Sequence, residues 1–284
     1  MIKGIGLIPN WEKENTALVV EQIHAFFRGR NIALYTADRK QTNFPAGTSL
    51  ASELAAWPDL IDLIIVVGGD GTILRAARDL AHWEIPILGI NVGHKGFLAE
   101  IEVEQMDRYL QYLLSGQYEY RERMMLEAIV CRGGKEQARH LALNDIVISR
   151  GPFSRIIKLD TYINHEFLES YTGDGIVVAS PTGSTGYSLS AGGPIINPVL
   201  ELLIIIPICP HSLYNRAVII TGSESVQLNV HSRQSQAVLT ADGQVGLTLE
   251  DKDTITVRRA AQRVKLVQFA DTSFYRLLRQ KLKG

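Results

Sequence analysis

Three glycines and a carboxylate stand together at Gly68-Gly69-Asp70-Gly71-Thr72, directly after five consecutive apolar residues, Leu63 to Val67. The apolar run predicts a strand buried on both faces. Ile73, Ala76, Ala77, Leu80 and Ala81 follow at helical spacing, so the turn opens a helix. At such a corner the backbone N–H groups point outward and the helix dipole favours an anion. Glycines add close approach, and the sum is phosphate-binding chemistry. A bare carboxylate would repel that phosphate, which marks Asp70 for a proton or a metal ion. The pattern is not the Rossmann G-x-G-x-x-G, and it lacks the lysine of a P-loop. A plain strand-to-helix corner, capped by Asp and turned by Gly, would read the same way.

A second set of polar residues lies further along. Tyr171-Thr172-Gly173-Asp174-Gly175 places a carboxylate between glycines at the start of a strand. After that strand comes Ser180-Pro181-Thr182-Gly183-Ser184-Thr185-Gly186-Tyr187-Ser188-Leu189-Ser190-Ala191-Gly192-Gly193-Pro194. Such a run cannot build a core, and a flexible surface loop is its plainest alternative. Its donors, acceptors and one aromatic face suit sugar, phosphate and base. Asn144-Asp145 falls inside an apolar run, Leu141–Ile148, where polar groups either line a site or face a solvated edge. His211 has no nucleophile or metal-ligand pattern beside it and reads as a structural residue pinning a loop. Asp242-Gly243 reads as a hairpin turn between Val238–Thr240 and Val245–Leu247, leaving Gln244 as the neighbour of interest.

These residues need elements to position them. The chain of 284 residues can hold one large or two ordinary domains. Hydrophobic content of 46% and charged content of 21% fit a soluble globular enzyme. A net charge of −1 supplies no basic field for nucleic acid or an anionic membrane. Cys131 and Cys209 lie far apart with no Cys/His cluster, which points away from a disulfide framework or zinc and toward a cytoplasmic protein. Residues 1–8 are too short and Gly-broken for a signal peptide, and Glu201 and Pro207 break the most apolar stretch, Val199–Ile208.

Residues 2–8 read as a strand, followed by a helix to about residue 28 with Asn10 as N-cap and Val19, Ile23, Phe26 and Phe27 on its buried face. Lys13 occupies the position that a capping box gives to Glu or Gln. Asn31–Tyr35 is a second strand, Thr36–Thr48 a long loop, and Leu50–Ala56 a short helix ending before Pro58. Pro86–Ile90 is the next buried strand, and a helix near Val103–Ser115 precedes a change of texture. Alternating strands and helices predict a parallel, doubly wound α/β sheet with ligands at the C-terminal ends of its strands. Gly68–Thr72 and Asn91–Phe97 both lie at such ends. From Tyr118 to Val267 short strand-like runs dominate (Leu126–Cys131, Leu141–Ser149, Ile156–Ile163, Gly175–Ala179, Ala217–Thr221, Val226–Val230, Ala237–Thr240, Gly246–Leu249 and Thr254–Arg258), which predicts a mostly antiparallel all-β domain. Thr272–Lys283 reads as a helix with Phe274, Leu277, Leu278 and Leu282 on one face. The expected division is residues 1–99 plus 269–284 against residues 100–268.

Taken together the ordered segments resemble the NAD kinase family over about residues 61–269. The family's GGDGT stands at Gly68–Thr72 and its GxNxGxxGF at Gly89–Phe97. An Asn-acidic pair follows at Asn144-Asp145, then the Asp174-Gly175 dipeptide and the Pro181–Pro194 stretch. Pro207–Arg216 and Asp242-Gly243-Gln244 complete the series. Lipid kinases share the first motif only. The resemblance implies an α/β domain plus an all-β domain with the last helix returning to the first. It implies phosphorylation of the 2′-hydroxyl of the adenosine ribose of NAD, giving NADP, with ATP or polyphosphate as donor and a divalent ion, Mg²⁺. By the same resemblance Asp70 is the general base or orients the hydroxyl, and Gly68, Gly69, Gly71 and Thr72 bind the donor phosphates. Asp70, Gly71, Arg75, Asn144, Asp145, Arg155, Thr172, Asp174, Thr182, Thr185, Gly186, Tyr187, Ser188, Leu189, Ser190 and Gln244 would bind NAD. A homodimer or homotetramer is implied as well. The chain departs from the family at Asp145, where Glu is usual, at Gly186, a common Ala, and at Ala217, a common Pro. The competing readings are a lipid or small-polyol kinase using the same turn and a non-catalytic dinucleotide-binding protein. The first needs an apolar acceptor pocket; the second tolerates loss of Asp70.

Overall fold

Why the apolar runs become a parallel sheet is visible in the computed structural model, which describes residues 2–36, 49–50, 56–93, 96–99, 101–152, 155–212, 215–232 and 236–282. The chain divides into two compact units, Met1–Glu122 with Val264–Gly284, and Arg123–Arg263.

In the first unit the elements run β1 (Gly4–Pro9), α1 (Thr16–Phe27), β2 (Ala33–Thr36), β3 (Ser49–Leu50), α2 (Trp57–Leu60), β4 (Leu63–Gly68), α3 (Asp70–Leu80), β5 (Ile87–Asn91), β6 (Ile101–Glu102) and α4 (Met106–Leu114). The strands pair in the order β3-β2-β1-β4-β5, all parallel, and Leu266 pairs with Ile87 beyond β5. Burial decides the arrangement. Leu63 to Val67 are wholly buried, as a strand covered on both faces must be. Ile5, Leu7, Leu63, Ile65, Leu88 and Ile90 share a core with Val19 and Ile23 of α1 and Leu110 of α4. The intervening residues point the other way: Gly6 lies under the Trp57 ring of α2 and Gly89 under the Ile73 side chain of α3. Helices therefore cover both faces. The order reverses between β1 and β4, since β2 lies on one side of β1 and β4 on the other. The loops leaving those two strands are where such sheets bind ligands. The C-terminal helix, Phe274–Leu282, belongs to this unit, and Asp271 just before it accepts from Arg108 Nη2 at 2.8 Å and Tyr109 Oη at 3.2 Å.

The sequence expectations differ here in several places. Helix α1 starts at Thr16, because residues 11–15 are spent on turns and Asn15 is left-handed at φ 66°. Asn10 caps a turn instead, its Oδ1 accepting from the Glu12 amide at 3.2 Å. Leu50 lies in β3 rather than a helix, and the short helix begins at Trp57 with Pro58 in its first turn, where a missing N–H costs nothing. Of the expected Thr36–Thr48 loop, Thr36 lies in β2 and the rest is outside the described residues, as is most of the expected Leu50–Ala56 helix.

The second unit is built from β7 (Glu119–Arg132, in part), β8 (Lys135–Ala142), β9 (Asp145–Arg150), β10 (Ile157–Ile163), β11 (Glu166–Gly173), β12 (Gly175–Ala179), β13 (Leu202–Ile208), β14 (Val218–Thr221), β15 (Ser225–His231), β16 (Ala237–Ala241), β17 (Val245–Leu249) and the first part of β18 (Thr254–Gln268). One antiparallel sheet runs β14-β13-β12-β9-β16-β17. The other strands run β11-β10-β15-β18, with the β7–β8 hairpin joined to β18. Leu126, Ile146, Ile148, Ile176, Val178, Leu228 and Ile255 draw both sets into one core. Pro207 is tolerated in β13 because the pairing with β14 covers only Leu202–Ile205, so one side of residue 207 needs no N–H. Burial would raise the Glu127 pKa, yet hydrogen bonds from Arg139 and Arg258 hold its carboxylate below the ordinary value. The expected strand Leu141–Ser149 is two strands, broken at Leu143-Asn144 for a reason given below.

Candidate active site

In the first unit the glycine corner lies where the fold puts ligands. Gly68 ends β4, Gly69 is extended at φ −127°, and Asp70 is the first residue of α3. The half-buried Asp70 carboxylate accepts three backbone amides, from Phe97 at 2.7 Å, Leu98 at 3.1 Å and Ala99 at 3.4 Å. An ionised carboxylate offers about four acceptor directions, so roughly one is left for a ligand. Gly96 makes this possible, because a Cβ there would overlap the Asp70 carboxyl group. Thr72 is buried; its amide donates to Gly69 C=O at 2.9 Å and its hydroxyl accepts from Asn10 Nδ2 at 3.3 Å. Gly71 and Arg75 are exposed on the first turns of α3. Of the Asn91–Phe97 motif, His94 and Lys95 lie outside the described residues.

The second unit gathers a different set. Asp242 and Gly243 sit in a turn with φ of 52° and 64°, as a tight hairpin requires. The turn reading is incomplete, because the Asp242 carboxylate also accepts the amides of Leu143 at 3.0 Å, Asn144 at 2.7 Å and Asp145 at 3.2 Å. Those three donors leave the sheet ladder, which is why β8 and β9 are separate strands. The Asn144 carbonyl accepts Ser180 N–H at 2.8 Å, and Ser180 Oγ donates to Leu143 C=O at 2.5 Å. Gly183 rests on the Asn144 backbone, where any Cβ would collide with the carbonyl oxygen. A Cβ at Gly186 would lie 3.3 Å from Asn144 Nδ2 and 3.9 Å from Asp145 Oδ2. So Asn144, Asp145, Gly183 and Gly186 converge.

The hydroxyl-rich loop is ordered by its own side chains. Ser184 Oγ donates to Pro181 C=O at 2.7 Å and accepts Ile196 N–H at 3.0 Å. Ala191 and Ile196 pack on the Val147, Val177 and Ile204 face of the sheet. Thr182 to Thr185 form a single tight helical turn, and Tyr187, Ser188, Leu189 and Ser190 a second short one. Thr182 Oγ1 and Ser188 Oγ are buried without a hydrogen-bond partner among the described residues, and Tyr187 is 46% exposed. Asp174 is bound by Arg150 Nε at 2.6 Å. Thr172 C=O accepts the amide of exposed His211 at 2.8 Å, so the backbone of that histidine does the pinning. Arg155 and Gln244 are exposed, the first before β10 and the second just past the Asp242 turn.

Burial pushes the Asp145 carboxyl up to about 7, and the Asp242 charge adds to the effect. The sign follows from linkage. With a folded value near 7 and an ordinary unfolded value near 4, ionising Asp145 opposes folding; the penalty is absent below about pH 4, grows through the interval and is complete above about pH 7. Asp145→Asn, which never ionises, is therefore expected to raise Tm at pH 8 and to leave it unchanged near pH 4. Thermal melts at the two pH values check this, and equal shifts at both would contradict it.

Residues 29–118 match the ATP-NAD kinase N-terminal domain and residues 143–269 the ATP-NAD kinase C-terminal domain. The NAD kinase of Natranaerobius thermophilus is 45% identical over 284 residues, spanning 100% of this chain and 99% of that one. This chain belongs to the NAD kinase family. The NAD kinase of Moorella thermoacetica is 43% identical, covering 99% of this chain and 90% of its own. The fold matches that of yeast NADH kinase complexed with NADH, with a TM-score of 0.85 at 23% identity over 99% of this chain and 88% of that one. It also matches an NAD kinase from Archaeoglobus fulgidus in complex with ATP, with a TM-score of 0.75 at 24% identity over 99% and 98%. As a member of the NAD kinase family the chain is a phosphotransferase. Among the described residues no helix is long and apolar enough to cross a membrane.

Two supporting roles were not read from the sequence: Gly96, visible only as a glycine of the Gly89–Phe97 motif, and Asp242, visible as a turn residue and as part of Asp242-Gly243-Gln244.

Proposed function

We propose that the chain transfers the terminal phosphoryl group of ATP or polyphosphate to the 2′-hydroxyl of the adenosine ribose of NAD, giving NADP. The observation that carries this reading is the Asp70 carboxylate, fixed at the head of α3 by three amides with about one acceptor direction to spare. A ribose hydroxyl is a poor nucleophile, and a carboxylate that orients it and takes its proton helps as the bond to phosphorus forms. The ribose oxygen attacks the terminal phosphorus, the bond to the leaving ADP or shortened polyphosphate breaks, and the hydroxyl proton passes to Asp70. Gly68, Gly69, Gly71 and Thr72 face the donor phosphates in this proposal. Arg75, Asn144, Asp145, Arg155, Thr172, Asp174, Thr182, Thr185, Gly186, Tyr187, Ser188, Leu189, Ser190 and Gln244 hold the dinucleotide.

The described residues bring together no group of three or more His, Cys, Asp or Glu able to hold a metal ion. Mg²⁺ keeps its waters and binds through substrate phosphates, so the donor set fits an ion that travels with the donor, with Asp70 the nearest protein carboxylate to that corner. Bound there, it would neutralise charge on the donor oxygens. The family resemblance also supports a homodimer or homotetramer, and the cysteine usage a cytoplasmic setting. The test is direct: purified protein with NAD, Mg²⁺ and either ATP or polyphosphate, with NADP read by an NADP-dependent dehydrogenase. No NADP from any donor would overturn the proposal.

A further inference from the structure

The glycine corner lacks the lysine that a P-loop carries within its own turn, yet an ammonium stands beside it. A Cβ built on Gly69 would lie 3.0 Å from Lys13 Nζ, and one built on Gly93 would lie 3.1 Å from the same atom. Lys13 comes from the loop after β1, Gly69 from the turn after β4 and Gly93 from the loop after β5. Three loops at the C-terminal edge of the sheet thus meet at one cation, at the point where the strand order reverses.

The position of Lys13 is built. The Asn10 amide donates to Val67 C=O at 2.8 Å, and its side chain donates to the Thr72 hydroxyl at 3.3 Å. Those bonds tie the β1 loop to both ends of the glycine corner. The Lys13 amide then closes a turn onto Asn10 C=O at 3.2 Å. The side chain is half-buried and forms no ion pair among the described residues. A partly covered lysine without a carboxylate partner among the described residues can take an anion from elsewhere. A second observation marks the same edge. Asn91, paired with Gly68 and 3% exposed, donates through Nδ2 to Gly93 C=O while its Oδ1 has no partner among the described residues. A ligand hydroxyl or bound water would satisfy it.

We infer that Lys13 is the donor-phosphate lysine of this chain, pairing with the terminal phosphate oxygens of the phosphoryl donor over Gly69, and that Asn10 is the residue that positions it. The inference rests on the proposed phosphotransfer at this corner and adds a residue outside the GGDGT motif. A point charge on a flexible stem suits a group whose charge is redistributed during transfer.

Lys13→Met tests it, with two readouts. In steady-state kinetics kcat/KM for ATP falls about 10- to 100-fold, the loss of one charge-assisted hydrogen bond, while KM for NAD and the Tm stay at their wild-type values; Lys13→Arg recovers part of the loss. In calorimetry with inorganic triphosphate alone, the wild-type protein binds and Lys13→Met binds at least tenfold more weakly. A donor kcat/KM within twofold of wild type, or an equal fall toward NAD, overturns the role of Lys13. If the wild-type protein makes no NADP, the functional reading fails and calorimetry still decides: triphosphate binding lost in the variant upholds the lysine, and equal or absent binding in both overturns it.

Discussion

Asp70→Asn lowers the rate of NADP formation by about 10²- to 10⁴-fold, the range a positioned general base contributes. The amide is the same size and no longer accepts a proton. Its geometry also predicts a second, smaller effect. The carboxylate accepts Phe97 N–H through one oxygen and Leu98 and Ala99 through the other. An amide has a single carbonyl oxygen, so its NH₂ group must face at least one of those donors and one bond is lost. The expected stability cost is about 1–2 kcal/mol, far too small to explain the fall in rate. Comparing kcat with Tm for the variant separates the two effects. Full activity in Asp70→Asn would remove the assigned role, whatever the state of the fold.

Asp242→Ala is expected to cost about 2–3 kcal/mol of unfolding free energy and to raise the KM for NAD at least tenfold. Three amides that have left the sheet depend on that one carboxylate. Without it they must find water or rejoin a ladder, and either course shifts Asn144 and Asp145 relative to Gly183 and Gly186. Asp242→Asn, with one carbonyl oxygen for three donors, should fall between wild type and Ala. Urea unfolding at pH 7.5 and kinetics with varied NAD measure both halves. A stability change under about 0.5 kcal/mol would show that the amides are held by something else.

How much of this was legible in the sequence depends on where each signal lived. The β4 strand and α3 were readable because full burial makes a strand an unbroken apolar run, and because Ile73, Ala76, Ala77 and Leu80 repeat at the helical period. Strand β11 was not, since Glu166 and Phe167 are exposed and it alternates poorly along its first half. Strand β13 is an apolar run that the expected strands leave out, and its Pro207 is tolerated because the pairing with β14 stops at Ile205. The site divides the same way. Asp70 and the hydroxyl-rich loop are chemistry written in consecutive residues. Lys13 is a lone lysine in an ordinary loop, and only the reversal of strand order carries it to Gly69. Asp242 looked like half of an Asp-Gly turn, and nothing local announces that its carboxylate holds amides from a strand far earlier in the chain.

The contact between Gly96 and the Asp70 carboxyl group has a wider reading. A residue with no side chain sets the angle of the one side chain on which the proposed chemistry turns, so the two positions behave as a single unit under mutation. In a saturation library of this chain, residue 96 would tolerate as little variety as residue 70 while contributing no reactive atom of its own. Intolerance to substitution there would measure clearance, and assigning it to chemistry would mistake the socket for the tool.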